Sequence, residues 1–280
     1  MDASADGRSW LCSSERDGVV LRTLGEAPRP LPDAGDRRPL GFDETGKHFL
    51  TWRAEGREAV IEWWDSATLT RSDTRRLAIG FPGPWVVKSS SGGRLLACAA
   101  SRKPVAVFDL RDGSQVHRFP VPDAQPLRLE FTPDQRRLLL FAWPRSIQIG
   151  GIGGAWGPLI EVTTGTAGPI AFSPDSRLLA TGADDNTIAI REVDSGRLIR
   201  ELRGHRSQLV GLAFTPDGRT LASSAADRTL RLWHTATWRA LGTIDDEHLH
   251  GFLRFDAAGK RLLVVPWRDE AFLIPRETVR

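Results

Sequence analysis

The sequence predicts an all-β protein made of seven four-stranded antiparallel units, and three observations carry that prediction. A short polar turn recurs along the chain, ending at positions 7, 46, 93, 135, 176, 218 and 259, at intervals of 39, 47, 42, 41, 42 and 41 residues. The runs between these turns place apolar residues on the strand period of two and favour β-branched and aromatic side chains. The 27 Gly and 18 Pro are spread through all 280 residues, which is more punctuation than a helical protein tolerates.

The clearest unit runs from Gly204 to His234, GHRSQLVGLAFTPDGRTLASSAADRTLRLWH, with Pro216-Asp217-Gly218 as the tight turn between its first two strands. A second copy spans Gly168 to Gly196, and fainter copies carry the turn at Ala5-Asp6-Gly7, Thr45-Gly46, Gly92-Gly93, Asp134-Gln135 and Ala258-Gly259. The long second interval is explained in part by three extra residues in the Ala54 to Ala59 turn.

One four-stranded sheet cannot bury both of its faces. Packing such sheets face to face around an axis covers them, so the expected fold is a β-propeller, and the turn count makes it seven-bladed. The count of strands leaves the closing seam incomplete. The chain is expected to begin inside the turn after the first strand of blade one and to end just after the third strand of the last, around Phe272 to Ile274. Two alternatives follow. Residues 1–280 are one propeller forming the C-terminal part of a longer gene product, or the ring closes on Glu277 to Val279 as a stub strand. Unpaired edges at that seam would favour association.

The Gly204–His234 unit resembles the WD40 repeat, whose period is roughly 40 to 45 residues, and the resemblance extends over nearly the whole chain. It implies that His205, Ser223, Asp227 and Trp233 form the family's structural tetrad, a side-chain hydrogen-bond chain from loop to strand. Trp64-Asp65 keeps the signature dipeptide, Phe108-Asp109 keeps its shape, and His234 replaces the Asp after Trp233. The neighbouring copy has Thr181 and Asp185 in place, but Thr163 stands for His and Arg191 for Trp. The Ser slot elsewhere reads Cys12, Thr51, Cys98, Leu140 and Val264, so only one unit carries the full tetrad. That register puts the two cysteines two blades apart, too far for a disulfide.

Composition excludes several classes. Lys+Arg 38 against Asp+Glu 35 gives a net charge of +3, and the basic residues alternate with acidic ones instead of gathering on one face, so no nucleic-acid partner is expected. Four Lys against 34 Arg, one Asn and no Tyr is usage that leans toward a GC-rich bacterial genome. Two cysteines without CxxC spacing point to a reducing cytoplasm. The first ten residues lack the features of a secretory signal, and no stretch approaches the roughly 18 apolar residues of a membrane span.

Candidate chemistry is sparse, and no cofactor is expected. Asp246, His248 and His250 have residue types that ligate transition metals, yet they fall in a polar loop before the last blade and read better as that loop. Asp184-Asp185 reads as a solvated residue beside a tetrad position, since acid/base work needs partners that are not in view. Gly150 to Gly154 lacks the following helix that a phosphate loop requires. These readings leave a non-catalytic scaffold as the expected function, with ligand or metal binding in the channel as the alternative.

The turns between second and third strands carry the strongest binding signal. Aligned on Asp227, they hold Arg16, Arg102 and Arg268. Trp143 and Trp267 precede that slot, and Trp52, Arg53 and Arg145 lie in the same turns. Trp and Arg are the residues most enriched at binding hot spots. The expected partner is a protein or peptide segment, acidic in character, held on this end of the propeller.

Overall fold

The computed structural model describes residues 2–275 apart from positions 5, 7, 15–17, 33–34, 84, 121–124, 144–145, 163–167, 247–248, 250 and 267–271. Its regular structure is all β, in seven successive antiparallel sheets. The first holds β1 (Asp2–Ala3), β2 (Ser9–Ser14), β3 (Gly18–Thr23) and β4 (Arg29–Pro30); the second holds β5 (Arg38–Phe42), β6 (His48–Glu55), β7 (Glu58–Asp65) and β8 (Arg71–Ala78). The third holds β9 (Val86–Ser89), β10 (Leu95–Ala99), β11 (Val105–Asp109) and β12 (Gln115–Phe119). The fourth holds β13 (Gln125–Phe131), β14 (Arg137–Trp143), β15 (Ser146–Gly151) and β16 (Ile160–Glu161). The fifth holds β17 (Ile170–Phe172), β18 (Leu178–Gly182), β19 (Ile188–Glu192) and β20 (Leu198–Leu202). The sixth holds β21 (Leu209–Phe214), β22 (Thr220–Ala225), β23 (Thr229–His234) and β24 (Ala240–Asp245), and the seventh β25 (Gly251–Phe255), β26 (Arg261–Pro266) and β27 (Phe272–Pro275).

Strands pair in sequence order within every sheet, the plan of propeller blades. The chain divides into two compact units, residues 1–144 with 148–156, and residues 145–147 with 157–280. Among the described residues no helix is long and apolar enough to cross a membrane.

One expectation about the start of the chain is corrected. The chain opens with a first strand, β1, whose Asp2 and Ala3 pair with Leu11 and Trp10. Two residues are too few to show any hydrophobic period, so this strand left no trace in the pattern. At the other end β27 is the third strand of its sheet, as expected, while the stub Glu277 to Val279 lies outside the described residues.

The repeat register is read directly from the ladders. Cys98, Thr181 and Ser223 pair with Ala106, Ala189 and Arg231 on the third strands. Thr51 pairs with Glu62, so the three extra residues lengthen the β6–β7 hairpin, whose strands are 8 residues each. The first turns repeat one chemistry. Thr215 donates to Asp217 at 2.5 Å and accepts from Thr220 N–H at 3.0 Å, and Ser173 and Thr132 do the same with Asp175 and Asp134. Gly218 takes φ +68° in this turn, the left-handed region where glycine meets no steric cost.

Four outer strands carry a β-bulge at the same place, where the register shifts beside Trp64, Phe108, Arg191 and Trp233. The extruded residues are Ser72, Val116, Ile199 and Leu241, which explains why the last three are exposed at 41%, 38% and 49%. Bulges twist an edge away from further pairing and so guard against edge-to-edge association.

Core clusters join neighbouring sheets inside each unit. In the first, Leu50, Trp52, Ile61, Leu77, Leu96 and Phe108 join sheets two and three, and in the second Ile188, Ile190, Leu209, Leu221 and Trp233 join five and six. Each fully buried side chain of this size stabilises by about 1.5–3 kcal/mol.

Gly150 shows how a degenerate blade is filled. It stands at the tetrad-Trp position of sheet four, and Trp156 covers it, stacking on Phe119 at 4.2 Å and donating its indole N–H to Pro120 O at 2.5 Å. A Cβ at Gly150 would lie 2.6 Å from Phe119 and 2.8 Å from Trp156. Gly150→Ala should therefore cost about 1–3 kcal/mol through overpacking, seen as a lowered denaturation midpoint, and Gly151→Ala, with nothing within 4 Å, should cost far less.

Candidate partner-binding face and its supporting blades

In sheet six His205, Ser223, Asp227 and Trp233 form one chain of hydrogen bonds. Trp233 Nε1 donates to Ser223 Oγ at 2.9 Å, His205 Nε2 lies 2.8 Å from the same oxygen, and His205 Nδ1 lies 3.2 Å from Asp227 Oδ2. The donor count sets the tautomer. Ser223 accepts from the indole and gives its own proton to Nε2, so the ring proton sits on Nδ1 and faces Asp227. Burial holds His205 below the usual histidine range, with Asp227 opposing that shift. Burial pushes the Asp227 carboxyl up, but Arg206 N–H at 2.7 Å and the Thr229 donors outweigh it and the net shift is down.

Sheet two uses a different solution that the sequence did not disclose. Trp64 Nε1 donates to Thr51 Oγ1 at 2.9 Å, which repeats the Trp–hydroxyl half of the chain. The other half is charged. Glu62, whose side chain is fully buried, accepts from Arg37 at 2.5 Å and from Arg71 at 2.9 Å, with Arg53 at 4.0 Å. Arg37 also lies over the Trp64 ring at 5.6 Å. Burial raises the Glu62 carboxyl, yet Arg37 and Arg71 carry it below its ordinary value. The available signal was positional: Glu62 shares the register of Ala106, which is buried, and of Ala189, so an acid there needed partners.

Sheet three replaces both halves with apolar contacts, since Cys98 and Phe108 are core residues, but keeps the acid of the dipeptide. Arg111 holds the Asp109 carboxyl at about 2, by a 2.7 Å side-chain bond together with its own N–H, and Arg94 adds to it. A depressed carboxyl stabilises the fold above the ordinary value near 3.8 and loses that contribution as pH falls toward about 2. In Arg111→Ala the Asp109 titration measured by NMR should move up toward the ordinary value.

The predicted face residues divide into three groups. Trp143, the last residue of β14, is 50% exposed, and Arg102 is exposed in the β10–β11 turn with φ +55°. Trp52 and Arg53 are corrected: both lie inside the β6–β7 ladder, paired with Ile61 and Val60, because the longer hairpin carries the turn out to Glu55–Glu58. Trp52 is 7% exposed and packs on Trp85 at 6.2 Å, so it belongs to the core. Arg53 is half-buried and ion-paired with Glu55. Arg16, Arg145, Trp267 and Arg268 lie outside the described residues.

His248 and His250 also lie outside the described residues, and Asp246 donates its backbone N–H to Arg228 O at 3.1 Å. Among the described residues no group of three or more His, Cys, Asp or Glu is placed to hold a metal ion. Asp185 accepts from Thr187 N–H and Oγ1 at 3.1 and 2.6 Å, a turn-tightening role. Cys12 and Cys98 are free thiols, and burial pushes the Cys98 thiol far up.

A family model described as WD domain, G-beta repeat matches residues 170–191 and 196–234. The matched segments cover most of sheets five and six, including Ser223, Asp227 and Trp233. The matched segments are WD40 repeats, and all seven sheets of the chain are built on the same blade plan.

Proposed function

We propose that this chain is a non-catalytic interaction module, working as one unit over residues 1–280, that binds a protein or peptide segment of acidic character on the second-to-third-strand turns. The observation that supports this best is Trp143, half exposed at the same end of its sheet as the basic β10–β11 turn with Arg102, since Ala99, Val105 and Ala142 share one core cluster. An exposed indole and exposed cations on one end of neighbouring sheets have the composition of a binding hot spot. Tetrad residues His205, Ser223, Asp227 and Trp233 have a supporting role in this reading, holding blade six rigid. The two unpaired thiols fit a reducing, cytoplasmic setting.

The test is capture of partners by the purified chain and by a Trp143→Ala, Arg102→Glu variant with an unchanged melting temperature. Loss of one or more captured proteins is expected from the variant. An identical captured set would overturn the reading.

A further inference from the structure

We propose that His205 makes sheet six acid-sensitive: a proton taken up by its ring frees the 203–208 loop from the β22–β23 turn. This holds whatever binds at that end. The two segments meet around one side chain. Arg206 N–H donates to Asp227 Oδ2 at 2.7 Å, and Ala226 N–H donates to Gln208 O at 2.8 Å. Between them the His205 side chain, 1% exposed, lies 2.8 Å from Ser223 Oγ, 3.2 Å from Asp227 Oδ2 and 3.0 Å from Thr229 Oγ1. Every polar hydrogen here has an acceptor while the ring is neutral. Nδ1–H faces Asp227 and Thr229, the Ser223 hydroxyl donates to Nε2, and the Trp233 indole donates to Ser223 Oγ. A second ring proton would sit on Nε2 and meet the hydroxyl hydrogen. Ser223 must then turn that hydrogen away inside a site with 0% exposure, and among the described residues its Oγ bonds only the histidine and the indole. A buried hydroxyl that loses its acceptor costs free energy.

Charge acts on the ring from two elements. Asp227, on the β22–β23 turn, attracts a ring cation, and Arg231, on β23, repels it. Packing holds Arg231 there, since a Cβ at Gly204 would lie 2.8 Å from its Nη1. Its buried Nε has no hydrogen-bond partner among the described residues. Arg206 and Arg228, on the loop and the turn themselves, are exposed and screened by water. Burial and Arg231 together outweigh Asp227, so the folded ring is held below its ordinary value of 6.5. Once the loop opens, the ring meets water and regains that ordinary value. Opening therefore binds a proton: it is suppressed above 6.5 and favoured as pH falls below it, by at most about tenfold per pH unit. Asp227 is held below 3.8 and stays ionised in this window. Sheet five is the internal control. Thr187 N–H and Oγ1 close its turn on Asp185 as Thr229 does on Asp227, and the sequence holds no histidine between His117 and His205.

The test is amide hydrogen exchange of the full chain from about pH 7.5 to about pH 5, each rate taken relative to the free peptide at the same pH, beside an NMR titration of the His205 ring. The ring should titrate below its ordinary value. Protection of the Arg206, Ala226 and Thr229 amides should fall by about threefold or more across that range, while that of Thr187 stays constant. Arg231→Gln should move the ring titration upward. His205→Gln, which keeps hydrogen-bonding groups but takes up no proton, should leave the Arg206 and Ala226 amides with no pH dependence, whatever their absolute protection. Ring titration at or above the ordinary value, or unmoved in Arg231→Gln, would overturn the proposal. So would constant protection in the wild type, an equal fall at Thr187, or a fall that survives in His205→Gln.

Discussion

Glu62→Ala is expected to destabilise the protein by about 3–5 kcal/mol, the cost of breaking a buried ion pair by removing one partner. The carboxylate is fully buried, and Arg37, with a side chain only 10% exposed, would be left charged over the Trp64 ring without its counter-ion. Arg71→Ala should cost no more than about 1 kcal/mol, because that side chain is 49% exposed and its charge is screened by water. The acid dependence has a definite sign. Because the folded carboxyl is held below 4.5, its contribution is complete above that value and is lost as pH falls further. Urea midpoints for wild type and Glu62→Gln should therefore differ at neutral pH and converge in acid, and a difference that persists unchanged would contradict the assignment.

Trp233→Ala should cost a similar amount, about 3–5 kcal/mol, since it removes a 4% exposed indole from the core between sheets five and six. The conservative change separates packing from hydrogen bonding. Trp233→Phe keeps most of the buried surface but takes away the donor to Ser223 Oγ, and should cost about 1–2 kcal/mol. Pairing Trp233→Phe with His205→Ala in a double-mutant cycle should give a coupling above about 0.5 kcal/mol, as expected for residues in one network. Strictly additive losses would mean that the hydrogen-bond chain does not act as a unit.

What the sequence disclosed follows from how local each signal is. The first turns were legible because Thr-Pro-Asp-Gly and its variants use their own side chains to close the turn, within about six residues. The roles of His205, Ser223, Asp227 and Trp233 were readable through the resemblance to the WD40 repeat, since all four lie within one unit. Outer-strand bulges were not legible, since they depend on how Trp64, Phe108, Arg191 and Trp233 meet the next strand. Trp52 and Trp143 look alike in sequence, each near a second-to-third turn. The longer β6–β7 hairpin draws Trp52 into the core, while Trp143 stays at the end of its strand. Glu62 was hidden for a further reason. A charged residue in a strand normally signals the solvated face, and its three arginine neighbours come from positions 37, 53 and 71.

The interaction-module account stands or falls on whether the Trp143 end engages a partner. Its most direct test places a photoactivatable amino acid at position 143, and separately at the exposed bulge positions 116 and 241, in cells expressing the chain. A discrete adduct from position 143 that disappears when Arg102 and Lys103 are both changed to Glu is the predicted result. Adducts from 116 or 241 with none from 143 would contradict it.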